Sequence, residues 1–242
     1  LEKGAGMYRA VGRMITLTRA QEIRDKLSSA VEELNDPSVQ SELNSIAKTF
    51  GYTQAGSDKY KPTPVFISSI AGGSGAGSIM DIPDVLRGLG SAQEWQKRSY
   101  AFLYTPDVFD KVDTVSVQAN SLATLSEIMN GFYSYGEAVD DSNQYLINEG
   151  IQNEENVRGP QYPFLLGRKN EDITFPTAED VFKNTARSLV SWVTNADVKN
   201  AIDAFAQANR AAASELDNIW RSNHAPKLLN PFQSLGYASV TI

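Results

Sequence analysis

Apolar positions in this chain follow two rhythms that take turns along its length. Ile15, Ala20, Ile23, Leu27, Ala30, Val31 and Leu34 recur at helical spacing. They predict a helix ending at 35–39, where Pro37 disfavours helix in the residue before it. The polar, Gly- and Pro-bearing stretch 52–64 predicts a loop. Residues 64–70 (PVFISSI) are short, β-branched and nearly all apolar, the pattern of a strand buried on both faces of a parallel sheet. Ile79, Ile82, Val85, Leu86 and Leu89 then share one helical face over 78–89. The alternation repeats with a strand at 99–104 (SYAFLY), a turn at Thr105-Pro106-Asp107 and a helix over 113–132. Residues 136–160, polar and rich in Asn and Glu, predict an irregular surface insertion. A third strand at 162–167 (YPFLLG) precedes a helix from Thr177 to Val193, where Asp180 completes a capping-box start. The longest helical pattern spans 196–220, and SLGYASVTI (234–242) predicts the beginning of another strand.

Strands alternating with helices predict an α/β fold with a parallel sheet. Ligands of such sheets bind beyond the C-terminal ends of the strands. The glycine cluster at 72–77, YTPDVFD (104–110) and GRKNED (167–172) each follow a strand and are expected along that edge.

Composition narrows the class. The 242 residues suffice for one large domain or two small ones. There are 29 acidic and 22 basic residues, a net charge of −7 and no basic block, which argues against a nucleic-acid surface. No apolar run approaches the roughly 18 residues of a membrane span, and the start has no signal-peptide pattern. The absence of cysteine removes disulfide and thiolate chemistry and points to a cytoplasmic chain. A single histidine, His224, excludes a multi-histidine metal site and leaves little room for a Ser-His-Asp triad.

The candidate chemistry sits in SSIAGGSGAGSIMDIPD (68–84), with four glycines in the six positions from Gly72 to Gly77. No Lys-Ser/Thr pair follows them, so this is not a Walker A loop, and GGSGAG does not match GxGxxG. Free amide N–H groups at a helix start, where the macrodipole is positive, make an anion site. A tightly packed turn without a ligand satisfies the same pattern. Gly4-Ala5-Gly6, also followed by a helix, is a second turn of this kind.

In this order, GAGMYRAVGRMI (4–15) and PVFISSIAGGSGAGSIMDIPDVLR (64–87) resemble the tubulin/FtsZ superfamily. That family pairs a GAG turn and an Arg-bearing helix with a signature of strand, glycine loop and helix. With Ala119-Asn120 in the next helix, the resemblance is nearest to the bacterial tubulin-like proteins and covers residues 4–132. It implies a Rossmann-like nucleotide-binding domain over 1–195, a long central helix over 196–221, and over 222–242 a linker with the start of a second domain. It implies GTP or GDP as ligand, with Mg²⁺ held through the phosphates. Gly72, Gly73, Ser74, Gly75, Ala76, Gly77 and Ser78 fall on the α- and β-phosphates, through backbone amides and the Ser74 or Ser78 hydroxyl. Gly4, Ala5 and Gly6 fall near the terminal phosphate. Asp107 or Asp110 takes the place of the ribose contact, Asn170 that of a guanine-binding Asn, and Asn209 or Asn200 approaches the base from the central helix. Asp107 and Asp110 also suit solvated turns, and Asn170 an Asx turn. Self-association or a larger complex is expected of such a protein.

The family's sheet has strands before the GAG turn, and a further domain follows its central helix. This sequence is therefore expected to be a piece of a longer protein. Polymerising relatives carry a water-positioning acid after the central helix, whereas 221–238 holds no Asp or Glu. Binding with slow or no hydrolysis is expected. His224 is the one substitute base there, and a helix-terminus histidine favoured by the dipole accounts for it better. Three functions remain: a guanine-nucleotide-binding filament former or gated scaffold, a structural adaptor with a degenerate site, and a dinucleotide-binding oxidoreductase domain. The glycine spacing counts against the last.

Overall fold

Parallel strands lie side by side in the order in which the chain makes them: β1 (Val65–Ser69), β2 (Tyr100–Tyr104), β3 (Tyr162–Leu166) and the two-residue β4 (Gln233–Ser234). The computed structural model describes residues 4–51, 60–89, 95, 98–109, 114–133, 141–151, 158–170, 172–208 and 233–234. Its named helices are α1 (Arg9–Thr18), α2 (Ala20–Asn35), α3 (Pro37–Thr49), α4 (Ser74–Ser78), α5 (Asp81–Arg87), α6 (Thr114–Tyr133), α7 (Asp141–Asn148) and α8 (Ala178–Thr194). Residues 196–208 are also helical. The architecture is the α/β parallel sheet expected from the alternation.

Register explains the two cores. Tyr100 pairs with Tyr162 and Phe102 with Phe164 across β2 and β3, so their rings share one face. Trp192 of α8 lands on them, its ring 4.9 Å from that of Tyr100, while Val198, Ile202 and Ala206 close the same face. The opposite face buries Ala101 and Leu103 under Ile70, Ile79, Met80 and Ile128. A smaller cluster of Ala20, Val85, Leu146 and Ile151 gathers α2, α5 and α7. Within α5, Asp84 accepts from the Gly159 amide at 2.7 Å and Arg87 donates to the Gly159 carbonyl at 2.7 Å, fastening the helix to the segment before β3.

The structure corrects four local expectations and adds one helix that the apolar pattern does not predict. The helix read through 15–34 is two helices that part at Arg19, whose φ of −113° and ψ of 14° leave the helical region. The residues that end α2 also begin α3: Asp36 caps it by accepting from the Ser38 amide at 2.8 Å, and Pro37 occupies its first turn. The helix expected over 78–89 is split into α4 and α5, and Gly75 and Gly77 are themselves helical. Residues 136–160 are not wholly irregular, because α7 buries Leu146 completely. Finally, β1 is not covered on both faces: Val65 is 39% exposed and Ile67 56%. Their face is the aromatic one, and the helices that cover β2 and β3 leave it open at β1.

Candidate functional site

The two glycine turns meet. Gly4 and Gly6 adopt φ of +61° and +54°, a left-handed backbone that favours glycine. Their turn closes when the Tyr8 amide donates to the Ala5 carbonyl at 3.0 Å. The Gly73 amide donates to the Gly6 carbonyl at 2.9 Å, and the Ala5 amide donates to Ser74 Oγ at 3.2 Å. The sequence pairing of residues 4–6 with 72–77 is thus a physical contact, at the C-terminal end of β1.

What approaches the signature glycines so closely is largely the protein's own backbone. A Cβ on Gly12 of α1 would stand 2.8 Å from the Gly73 carbonyl carbon, and one on Gly73 2.6 Å from the Gly6 oxygen. A Cβ on Gly77 would lie 2.5 Å from the Arg13 amide nitrogen. At Gly75 it would meet Ser68 Oγ at 2.5 Å and the Ser69 carbonyl oxygen at 2.9 Å. Glycine is needed at these positions so that α1, α4 and β1 can pack with backbones nearly touching. Gly72 differs, since a Cβ there finds nothing within 4 Å.

Hydrogen bonding divides the loop differently at Gly75, which is closely packed yet keeps its amide without an acceptor among the described residues. The Gly73 amide is committed to Gly6, the Gly77 amide to the Gly73 carbonyl at 3.0 Å, and Ser78 Oγ to the Gly75 carbonyl at 3.3 Å. Among the described residues, the amides of Gly72, Ser74, Gly75 and Ala76 have no acceptor in the protein. They are the unpaired donors of a helix start. Donors of this kind, with open space beside Gly72, fit a phosphate group.

The cations of α1 face inward. Arg9 pairs with Glu127 and donates to Thr124 Oγ1 at 3.2 Å. Arg13 grips Asp81 at 3.1 and 3.3 Å and also reaches Glu127 at 3.4 Å. Burial pushes the Asp81 carboxyl up to about 6, with Arg13 pulling the other way. These ion pairs tie α1, α5 and α6 together beneath the turns. The sequence did not mark this network: its members are scattered from Arg9 to Glu127, and only folding brings them together. Among the described residues, no group of three or more His, Cys, Asp or Glu side chains is arranged to hold a metal.

The sugar and base candidates occupy the same sheet edge. Asp107 follows β2 and accepts from the Arg168 amide at 2.7 Å with one oxygen and from the Thr105 hydroxyl with the other, so it joins the loops after β2 and β3. Asn170 Oδ1 accepts from the amides of Asp172 at 3.0 Å and Ile173 at 2.6 Å, an Asx turn. Both side chains are exposed, as is Asn200 on the helix 196–208. Asp110, Asn209 and His224 lie outside the described residues, together with all of 221–238 but 233–234. No described helix is long and apolar enough to cross a membrane.

Comparison with curated proteins and with solved structures gives no match. A family model described as tubulin-like matches residues 1–242. The match runs the full length of the sequence, through both glycine turns and the parallel sheet that presents them, and the chain therefore belongs to the tubulin-like family.

Proposed function

We propose that this chain binds a guanine nucleotide, GTP or GDP, and serves as a nucleotide-held scaffold that self-associates or joins a larger cytoplasmic assembly. The observation that carries this reading is the junction of the turns, where Gly72 leaves space and four amides lack an acceptor. Phosphate oxygens would accept from the amides of Gly72, Ser74, Gly75 and Ala76. Gly4, Ala5 and Gly6 would lie beside the terminal phosphate, and Mg²⁺ would be held through phosphates and water. Sugar and base would extend toward Asp107 and Asn170, farther along the same edge. With no carboxylate in 221–238 to orient water, turnover is slow or absent.

A second reading has its own support. Gly73, Gly75 and Gly77 are required by packing alone, so an adaptor without a ligand would keep them too. The nucleotide retained by the purified protein, identified after denaturation, separates the readings. GTP or GDP is the expected result; NAD or FAD would mean a dinucleotide enzyme, and an empty protein an adaptor. The decisive variant is Gly72→Val, which adds bulk where the protein has none. It should weaken GTP binding by about tenfold or more, equivalent to about 1.4 kcal/mol, with an unchanged melting temperature. Unchanged affinity would remove Gly72 from the site.

A further inference from the structure

The inward edge of α6 carries three polar residues in a row of turns, Asn120, Ser121 and Thr124, and each is spent on a backbone carbonyl. Asn120 Nδ2 donates to the Met7 carbonyl at 2.8 Å, one residue after the GAG turn. The same nitrogen donates to the Ala71 carbonyl at 3.2 Å, one residue before GGSGAG. A primary amide has two hydrogens on that nitrogen, and here each holds a different turn. Ser121 Oγ lies 3.1 Å from the Ile70 carbonyl and Thr124 Oγ1 3.5 Å from the Ala76 carbonyl, though each is nearer, at 2.8 Å, to a carbonyl of its own helix, Val117 and Asn120.

We propose that Asn120 is a positioning residue that sets the distance between the two glycine turns, so that the site distinguishes a nucleoside triphosphate from a diphosphate. The proposal rests on the nucleotide reading above. A ligand that touches both turns gains from having their spacing fixed before it arrives, because no ordering cost remains to be met on binding. A ligand that touches only residues 72–76 gains little. The direct bonds Gly73–Gly6 and Ala5–Ser74 close the junction from one side, and Asn120 spans it through Met7 and Ala71. Its loss would let the turns drift without unfolding either.

The test uses Asn120→Asp, which keeps the shape, removes both donors and sets a carboxylate against two carbonyls. Asn120→Ser, shorter and uncharged, serves if the first does not fold. Hydrogen exchange without nucleotide is read at the bonded amides of Ala5, Tyr8 and Gly73, with α8 as the internal control. Binding of fluorescent GTP and GDP analogues is measured on the same proteins. Exchange at both turns should rise by about tenfold, and GTP affinity should fall about tenfold more than GDP affinity. Unchanged exchange at either turn, an equal loss of both nucleotides, or faster exchange throughout α8 would each overturn the proposal. If the unmodified protein binds neither nucleotide, the nucleotide reading fails and the selectivity claim falls with it. The exchange arm still shows whether Asn120 couples the turns.

Discussion

Glycine does two jobs within one hexapeptide, and substitution separates them. Gly12→Ala and Gly77→Ala would drive a Cβ into backbone and should destabilise by about 1–3 kcal/mol, the usual range for overpacking. Gly72→Ala, with open space around it, should stay within about 0.5 kcal/mol of the unmodified protein. Urea unfolding of the three variants checks both statements. Sequence alone made the cluster visible but left its purpose open, because a glycine that admits a phosphate and one that admits a neighbouring helix are written with the same letter. Buried charge gives the next prediction. The folded chain holds a proton on Asp81 up to about 6, against an ordinary value near 3.8, so the folded state binds that proton more tightly than the unfolded one. The stability contributed is therefore greatest below pH 4 and falls as pH rises through 6. Two units at 1.36 kcal/mol each give a drop of about 3 kcal/mol. Asp84, raised by its own burial, slopes the same way. The quantity to measure is thus the difference between unmodified protein and Asp81→Asn, which should shrink from pH 4 to pH 6 and then level.

Helix ends were the most readable features and also the most ambiguous. Thr177 and Asp180 make the reciprocal cap that their spacing predicts, Thr177 Oγ1 accepting from the Asp180 amide at 3.2 Å and Asp180 accepting from the Thr177 amide at 3.1 Å. Thr177→Ala should cost about 1 kcal/mol, seen as a lower melting temperature. Asp36-Pro37 carries two meanings: a proline that stops one helix is equally suited to start another, and α3 follows it directly. In α7 the periodic signal is a single turn around Leu146 inside a polar stretch, too short to stand out from its surroundings. Tertiary packing against Ala20 and Val85 supplies what local pattern lacks. Leu146→Ala should therefore destabilise by about 2–5 kcal/mol, as for a core leucine, whereas a true surface insertion would tolerate it. Calorimetry of that variant distinguishes the two.

At the scale of the whole molecule, strand alternation predicts the sheet and its parallel sense, and the loops after β2 and β3 meet on the expected edge through Asp107 and the Arg168 amide. The exposure of β1 differs from expectation because a short apolar run carries no sign of whether a helix covers it. β1 is an edge strand among the described residues, with Val65 and Ile67 open on its aromatic side, and edges of that kind invite pairing with other chains. On the proposed scaffold function, Ile67→Lys should leave stability within about 0.5 kcal/mol and reduce self-association, as measured by light scattering over a concentration series. Strand order has a further consequence, for the time during which the chain is made. Because β1, β2 and β3 adjoin in the order of the sequence, β2 and β3 each find their neighbour already synthesised as they leave the ribosome, and among the described strands none is inserted between two finished ones. Chains emerge at roughly 5–20 residues per second, slow beside the microseconds needed for loops and helices to form. The sheet can therefore widen on one side as translation proceeds, and an aromatic face left bare by β2 is covered only once α8 has been made.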